Sequence, residues 1–572
     1  MKSLASVAAV ALMACGCKQA VQSETAMEVR TGANPFLPMW EFIPDAEPYI
    51  FEDPDNPGEM RVYIYGSHDA LVTEYCGREQ VVWSAPVNDL TQWRYDGVIF
   101  ESKQDANGNL LNEGGVGDVL YAPDVTLVTN ANGKKTYYLY PNNQHGPRNG
   151  MIAKSDRPDG PFEVCNWNPQ KPTETIGDLR FDPAVFVDDD GRVYGYWGFE
   201  ESWGAELDPT TMATVKPGTE PVKDMVSNLR QEGVFRFFEA SSIRKIKDKY
   251  VFIYSRWTNE GEFGLKGTNY TLAYAYSNSP LGPFTYGGTI IDGRGRDTDA
   301  EGDTIYTATL TGNTHGSLIE IEGQWYVFYH RQCGTDEFSR QAMVAPIEVK
   351  VTEGPNGTVE ISEGEYTSEG FALGGLNPFQ KHSAGIACYY TGPQGIGHQY
   401  PNFLFSGSYV QPRYAEYDGK SDIYDLKYNH NPVVNNTSGS IVGYKYFNFD
   451  HIGSAPVSLT INLRPQGVEG TIDIMLDSPW ENKGGKKVGS LSISKDAPQE
   501  RTDMNIGLED LSGFKGKHAL YFVFSSPVEG KSICELHDFV FVKQENSIST
   551  TNVKYHKVAT YQDLIDGMNA VG

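Results

Sequence analysis

Arg180-Phe-Asp-Pro-Ala-Val-Phe-Val-Asp-Asp-Asp-Gly-Arg-Val-Tyr-Gly-Tyr-Trp197 reads as a short apolar strand opened by a carboxylate, an Asp190-Gly191 turn, and a second, aromatic-rich strand. An Asp-Gly pair between two apolar runs predicts a β-hairpin, since glycine accepts the positive φ that a tight turn demands. The unit recurs along the chain. Pro44-Asp45 runs to Val62-Tyr-Ile-Tyr65, Pro123-Asp124 to Tyr137-Tyr-Leu-Tyr140, Phe238-Glu239 to Tyr250-Val-Phe-Ile-Tyr254, and Thr314-His315 to Trp325-Tyr-Val-Phe-Tyr329. Every copy opens on a polar, ionisable residue: Asp45, Asp124, Asp182, Glu239 or His315.

The interval between successive openers is long enough for a four-stranded sheet with its loops, and a repeat of that size built from short strands predicts propeller blades. A second repeat agrees with this. Ala153-Lys-Ser and Pro158-x-Gly-Pro-Phe162 return as Ala275-Tyr-Ser and Pro280-x-Gly-Pro-Phe284, and Trp83-Ser-Ala-Pro to Trp93 is a degenerate version. These read as outer strands turning towards the next blade. Five radial hairpins bring their opening residues to one axial pocket, which would collect three or four carboxylates and an imidazole. The expected fold is all-β, a five-bladed propeller followed by a β-sandwich.

A chain of 572 residues exceeds the size of one hydrophobic core, so at least two domains are expected. With 60 Gly, 32 Pro and 12% aromatic residues, the composition suits a turn-rich β protein. The net charge of -27 argues against nucleic acid, whose binding needs clustered Lys and Arg, and favours a neutral partner. Lys2 followed by the apolar run Leu4 to Ala14 reads as an export signal too short to span a bilayer. Leu12-Met-Ala-Cys15 resembles a bacterial lipoprotein box, with Cys17 a second acceptor. The only membrane association expected is therefore an N-terminal lipid anchor, on a protein exported to the bacterial periplasm or cell surface. The five remaining cysteines, Cys76, Cys165, Cys333, Cys388 and Cys534, are scattered without metal or disulfide spacing and are expected to be buried thiols.

The expected organisation is a signal over 1–17, a tether over 18–33, the propeller over 34–351, a Gly/Ser/Glu-rich linker over 352–385, the sandwich over 386–545 and a tail over 546–572. The sandwich is read from period-two strands such as Val457-Ser-Leu-Thr-Ile-Asn-Leu463 and Gly470-Thr-Ile-Asp-Ile-Met-Leu476. Within the tail, Tyr561 to Met568 has the pattern of a short amphipathic helix.

Hydrolysis of a glycosidic bond with inversion needs a carboxylate base to activate water and a carboxylic acid to protonate the leaving oxygen, roughly 6.5 to 9.5 Å apart. A third carboxylate raises the acid's pKa by like-charge repulsion. The axial pocket expected here contains these parts. The chain carries, in order, Ile43-Pro-Asp45-Ala-Glu-Pro48 with Tyr63-Ile-Tyr-Gly-Ser-His-Asp69, then Tyr121-Ala-Pro-Asp124, Phe181-Asp182-Pro-Ala, Phe238-Glu239-Ala, Thr314-His315-Gly316 and Tyr329-His-Arg331. Through these motifs it resembles glycoside hydrolase family 43. The resemblance implies a five-bladed propeller acting on arabinose- and xylose-containing glycans, with Asp45 as general base, Asp182 tuning the acid's pKa and Glu239 as general acid. It further implies that His315 is the axial histidine beside a calcium or other ion held largely through water, and that Arg331 contacts substrate. Many members have Glu-Gly-Pro where this chain has Glu239-Ala-Ser-Ser, which leaves Glu232 as a rival acid; Glu239 is preferred because it opens a hairpin strand.

Asp124 is either a substrate contact or a structural hydrogen-bonding group, His315 either an ion neighbour or a satisfied interior histidine, and Arg331 either a substrate contact or the partner of an axial carboxylate. Trp40, Trp197 and Phe199 are aromatic candidates for stacking on a sugar, with Trp197 carried as a substrate-binding candidate; core packing is the competing role. The C-terminal segment resembles a family-6 carbohydrate-binding module through Ile441 to Phe449, Ile472 to Leu476 and Leu520 to Phe541, although the Trp and Asn usual in the sugar cleft are not plain. The combined expectation is an inverting glycosidase removing terminal α-L-arabinofuranosyl or β-D-xylosyl units from plant cell-wall polysaccharide, without an organic cofactor. The alternatives are a β-galactofuranosidase or exo-galactanase of the same fold, and a surface glycan-binding protein without catalysis.

Overall fold

The computed structural model describes residues 32–71, 73–229, 233–309, 312–393, 407–413 and 431–544. The signal, nearly all of the tether, Glu232 and the tail lie outside the described residues.

Five antiparallel sheets run in sequence, each built with nearest-neighbour strand order. The first comprises Glu47–Glu52, Met60–Tyr65, Glu79–Pro86 and Arg94–Glu101. The second comprises Asp124–Thr129, Lys135–Tyr140, Ala153–Ser155 and Glu163–Val164. The third comprises Ala184–Val187, Val193–Trp197, Glu201–Leu207 and Val222–Asn228. The fourth comprises Phe237–Ile246, Lys249–Arg256, Thr271–Ser277 and Thr285–Asp292. The fifth has three strands, Ser317–Ile321, Gln324–Gln332 and Arg340–Ile347. First strands of neighbouring sheets touch one another, and a parallel bridge from Ala46 to Gly316 joins the fifth sheet to the first. The sheets therefore close into a five-bladed propeller.

The hairpin around Asp190 pairs Ala184 with Tyr196 and Val187 with Val193, and the Asp188 amide donates to the Arg192 carbonyl. Its loop is thus three residues, with Gly191 at φ 81 supplying the left-handed position that such a loop requires. The outer edge of the fifth blade is met by a side chain. Asn34 donates from Nδ2 to the Val344 carbonyl at 2.6 Å and accepts at Oδ1 from the Val344 amide at 3.0 Å, so one carboxamide imitates a paired strand residue and covers that edge.

The C-terminal domain is two facing sheets. One orders Tyr409–Val410, Val433–Asn436, Cys534–Lys543, Val457–Pro465 and Thr502–Gly507, with His382–Ser383 also pairing on Cys534–Lys543. The other orders Tyr389–Thr391, Ile441–Asn448, Lys517–Ser525, Gly470–Leu476 and Lys486–Ile493. Val457–Pro465 alternates buried and half-buried residues along its whole length, as a strand with one face in a sandwich core does.

Residues 352–385, read as a linker from composition, are packed structure. Val349–Val351 pairs with Val359–Ile361, the Gly364 amide donates to Ile290 of the propeller, and the Ser368 amide donates to Lys445 of the sandwich. Small and polar residues here serve close approach and hydrogen bonding between the two domains rather than flexibility. One apolar cluster runs from Ile253, Val327 and Tyr329 of the propeller through Tyr366 and Ala387 to Tyr444 and Phe522 of the sandwich. Cys76, Cys333, Cys388 and Cys534 are buried free thiols, and Cys165 is half-buried.

Candidate active site

Asp45, Asp182, Glu239 and His315, which open four of the five blades, line a single cavity of about 470 Å³ together with Glu337 and Arg340. Aromatic side chains form much of the remaining wall. Phe181, Phe199, Phe238 and Trp257 run in a continuous series with successive ring centroids 4.9, 5.3 and 5.7 Å apart. Phe199 is 47% exposed and stands at the open side.

Asp45 has φ 61, a left-handed conformation unusual outside glycine but tolerated by Asp. It is held there by the buried His330, whose Nδ1 accepts the Asp45 amide proton at 3.2 Å. His330 Nε2 lies 2.8 Å from the Asn313 carbonyl, so the proton sits on Nε2 and the ring is neutral. Burial pushes the His330 pKa down to about 4, against the pull of Asp45. Gly66 permits this arrangement, since a Cβ there would stand 2.3 Å from the Pro44 carbonyl oxygen. The Ser67 hydroxyl donates to Asp45 Oδ2 at 2.5 Å, and Arg340 Nη1 lies 3.3 Å from both carboxylate oxygens. Burial works to raise the Asp45 pKa, but the Arg340 charge above all, with the Ser67 hydroxyl, holds it below the ordinary aspartate value.

Arg340 is itself clamped by the fully buried Asp69, to which it donates two parallel hydrogen bonds: Nη2 to Oδ1 at 2.7 Å and Nε to Oδ2 at 2.9 Å. Its guanidinium also lies over the Tyr75 ring, 4.9 Å from the centroid.

Asp182, at φ 48, accepts from Asn142 Nδ2 at 2.7 Å and from Gln144 Nε2 at 3.4 Å. Burial raises its pKa to about 6, with Asp45 adding to the rise and His315, Asn142 and Gln144 opposing it. Glu239 sits where Phe237–Ile246 loses its register with Lys249–Arg256, between the pairs Phe237 with Arg256 and Ser242 with Ile253. Such a bulge re-aims a side chain. The next residue, Ala240, carries φ 68, a left-handed conformation that a glycine takes freely and an alanine rarely adopts. Burial, then the charges of Asp182 and Asp45, push the Glu239 pKa well above the usual glutamate range. Across one cavity, the surroundings thus favour the ionised form of Asp45 and the protonated form of Glu239.

The remaining sequence candidates lie off the cavity wall. Asp124 is buried, accepting from the Tyr49 hydroxyl at 2.6 Å and the Val185 amide at 2.7 Å; burial and the neighbouring Glu47 raise its pKa to about 7. From the first strand of blade two it thus ties the first strands of blades one and three together, a structural role. Trp197 packs in the core between those blades, stacked on Trp203. Arg331 is fully buried at the domain interface, donating to the Ala387 carbonyl at 2.8 Å, to the Gly385 carbonyl, and to Gln341 Oε1 at 3.1 and 2.9 Å. The cavity arginine is Arg340. Strand register explains the exchange: Arg331 pairs with Gln341 and Arg340 with Gln332, so the two arginines face opposite sides of the same hairpin. Asp69, at the end of the quoted Tyr63 to Asp69 stretch, was the available signal, because a carboxylate closing a buried inner strand needs a cation.

Both ring nitrogens of the buried His315 and Glu47 Oε1 find no hydrogen-bond partner among the described residues. His315 Nε2 is 3.9 Å from Glu47 Oε1, and Nδ1 is 3.9 Å from Asp182 Oδ2, too far for direct hydrogen bonds and within reach of one water that contacts both partners. Among the described residues no group of three or more His, Cys, Asp or Glu side chains is placed to hold a metal ion directly. The donors present fit an ion bound by one imidazole and otherwise by water.

The family model for Glycosyl hydrolases family 43 matches residues 59–353. The chain is also 32% identical over 512 residues to a Xylosidase/arabinosidase of Thermoclostridium stercorarium, spanning 86% of this chain and 95% of that protein. This chain belongs to glycosyl hydrolase family 43. It is accordingly a glycoside hydrolase. An Arabinoxylan arabinofuranohydrolase of Paenibacillus polymyxa is 24% identical over 93% of this chain and 76% of its own length. A family 43 arabinoxylan arabinofuranohydrolase from Bacillus subtilis, solved in complex with cellotetraose, is similar at 22% identity and a TM-score of 0.41, covering 91% of this chain and 98% of that one.

Proposed function

We propose that this family 43 hydrolase removes terminal α-L-arabinofuranosyl or β-D-xylosyl units from plant cell-wall polysaccharide with inversion at the anomeric carbon. The observation that carries the reading is the meeting of Asp45, Asp182 and Glu239 on one cavity wall, with surroundings that push the Asp45 pKa down and the Glu239 pKa up. Asp45 takes a proton from water as it attacks; Glu239 donates its proton to the departing oxygen; Asp182 keeps that proton in place by charge and by proximity. Arg340 keeps Asp45 ionised and oriented. A cavity of about 470 Å³ is of ordinary small-ligand size and suits a terminal sugar unit. The aromatic series ending at Phe199 suits the next sugar along the chain. The substrate class is supported by the relatives named as xylosidase/arabinosidase and arabinoxylan arabinofuranohydrolase. A second reading, β-galactofuranosidase action, has in its favour a relative of that name from Aspergillus niger, 26% identical over 333 residues.

The reading also includes a calcium ion or similar cation beside His315, where it would fix the ring and offset the acidic surroundings without taking part in proton transfer. Export with lipidation at Cys15 or Cys17 and glycan binding by the sandwich complete it. The test is release of monosaccharide from aryl α-L-arabinofuranoside, β-D-xyloside and β-D-galactofuranoside, and from arabinoxylan. Arabinose or xylose release is expected. Release of galactose alone would transfer the assignment to the second reading, and binding of arabinoxylan without turnover of any substrate would make the protein a glycan-binding one.

A further inference from the structure

The cavity's basic residue and one of its carboxylates are carried by a segment that the C-terminal domain holds. Residues 334–340 connect two strands of the fifth blade and place Glu337 and Arg340 in the cavity. The sandwich reaches this segment through residues 407–413. The Gly334 amide donates to the Val410 carbonyl at 2.8 Å. Arg413 then spans three separate pieces of the propeller. Its Nη2 donates to the Asp69 carbonyl at 2.6 Å, its Nη1 donates to the Phe338 carbonyl at 3.2 Å and to the Ser339 hydroxyl, and its guanidinium lies 4.4 Å from the centroid of the Phe42 ring. Each contact adjoins a catalytic element. Asp69 clamps Arg340; Phe338 and Ser339 lie between Glu337 and Arg340; Phe42 accepts the Asp69 amide at 3.0 Å and lies just upstream of Asp45. Arg413 itself is not among the residues lining the cavity.

We propose that Arg413 is a positioning residue for hydrolysis, so that the C-terminal sandwich completes the active site by holding Asp69, Arg340 and the 334–340 segment in register with Asp45. A rigid planar fork is suited to this, since one group satisfies three acceptors from two segments and stacks on a third. The proposal rests on Asp45 as base and Arg340 as its partner. A shift of about 1 Å at Arg340 misplaces the base relative to its water, an effect worth on the order of a hundredfold in rate.

The experiment measures kcat and KM for the full-length wild type and for Arg413→Ala, Arg413→Lys, Arg340→Ala and Asp45→Asn on an aryl glycoside the wild type cleaves, at a temperature where circular dichroism shows each variant fully folded. Arg413→Ala is expected to lose roughly tenfold to a hundredfold in kcat with a smaller change in KM. Part of the loss should return in Arg413→Lys and on adding a few millimolar guanidinium ion to Arg413→Ala. Should Arg413→Ala not fold, Arg413→Lys carries the test, with kcat expected several-fold below wild type and KM near it. Arg413 variants that are folded and within twofold of wild type in kcat, beside inactive Arg340→Ala and Asp45→Asn, would overturn the proposal and leave the catalytic assignment standing. Loss of activity that merely follows the fraction unfolded would also overturn it. Full activity in Arg340→Ala and Asp45→Asn would instead refute the catalytic assignment beneath it.

Discussion

Replacing Arg340 by methionine keeps an apolar stem about as long as the arginine's methylenes and removes the charge that two buried carboxylates share. In the wild type the guanidinium gives Asp69 two close parallel contacts, at 2.7 and 2.9 Å, and gives Asp45 two longer ones at 3.3 Å. Leaving buried charges unpaired typically costs about 3–5 kcal/mol, so a clear fall in thermal stability is expected. The catalytic effect has a definite sign. Asp45 must be ionised to act, its folded pKa lies below the ordinary aspartate value, and Arg340 is the largest of the groups that lower it. The stability this group contributes is present above the unfolded pKa and lost as pH falls through the folded one. Without Arg340, burial and the nearby carboxylates raise the Asp45 pKa, and the acid limb of kcat/KM moves to higher pH. Each unit of movement corresponds to about 1.4 kcal/mol. The assay is initial rate against pH on an activated aryl glycoside, in wild type, Arg340→Met and Arg340→Lys, with folding checked at every pH. A limb shifted upward by a unit or more in Arg340→Met and less in Arg340→Lys is expected. A folded Arg340→Met variant whose acid limb coincides with wild type would refute the role given to Arg340.

Asp182→Asn should slow hydrolysis while stabilising the fold at alkaline pH. Its carboxyl has a folded pKa of about 6 against an ordinary 3.8, so its ionisation opposes folding increasingly as pH rises through that window, by on the order of 2–3 kcal/mol once above it. Thermal melts of both proteins at pH 4 and pH 8 check this, with a gain for Asp182→Asn expected only at the higher pH. Calcium should raise the melting temperature of the wild type in a concentration-dependent way, as any ligand selective for the folded state does, and His315→Ala should abolish that response. An equal calcium shift in both proteins would place the ion elsewhere.

The blades were legible because a hairpin must bury one face and turn tightly, and both demands mark the sequence. Asp45, Asp182, Glu239 and His315 were found by one rule, that a residue opening an inner strand points to the axis. Asp124 obeys the same rule in sequence and not in space, because its carboxylate turns to the Val185 amide of the next blade instead of the cavity. Arg331 and Arg340 belong to the same hairpin, and which of them faces the cavity depends on register, which no local pattern around them declares. The stretch over 352–385 has the composition of a linker because glycine and serine serve close packing as readily as flexibility. Asp69 and Arg413 meet across more than three hundred residues, through a backbone carbonyl that any residue at position 69 would offer. Such a contact leaves no mark in the sequence.

The central claim, an inverting pair of Asp45 as base and Glu239 as acid, is tested most directly by proton NMR of the sugar anomer first released by the wild type, beside the rate of Glu239→Ala on glycosides of good and poor leaving groups. The account predicts that the inverted anomer appears first, and that Glu239→Ala loses far more activity on the poor leaving group, whose oxygen needs the proton, than on the good one. First appearance of the retained anomer, or a folded Glu239→Ala variant that hydrolyses both classes at the wild-type rate, would contradict it.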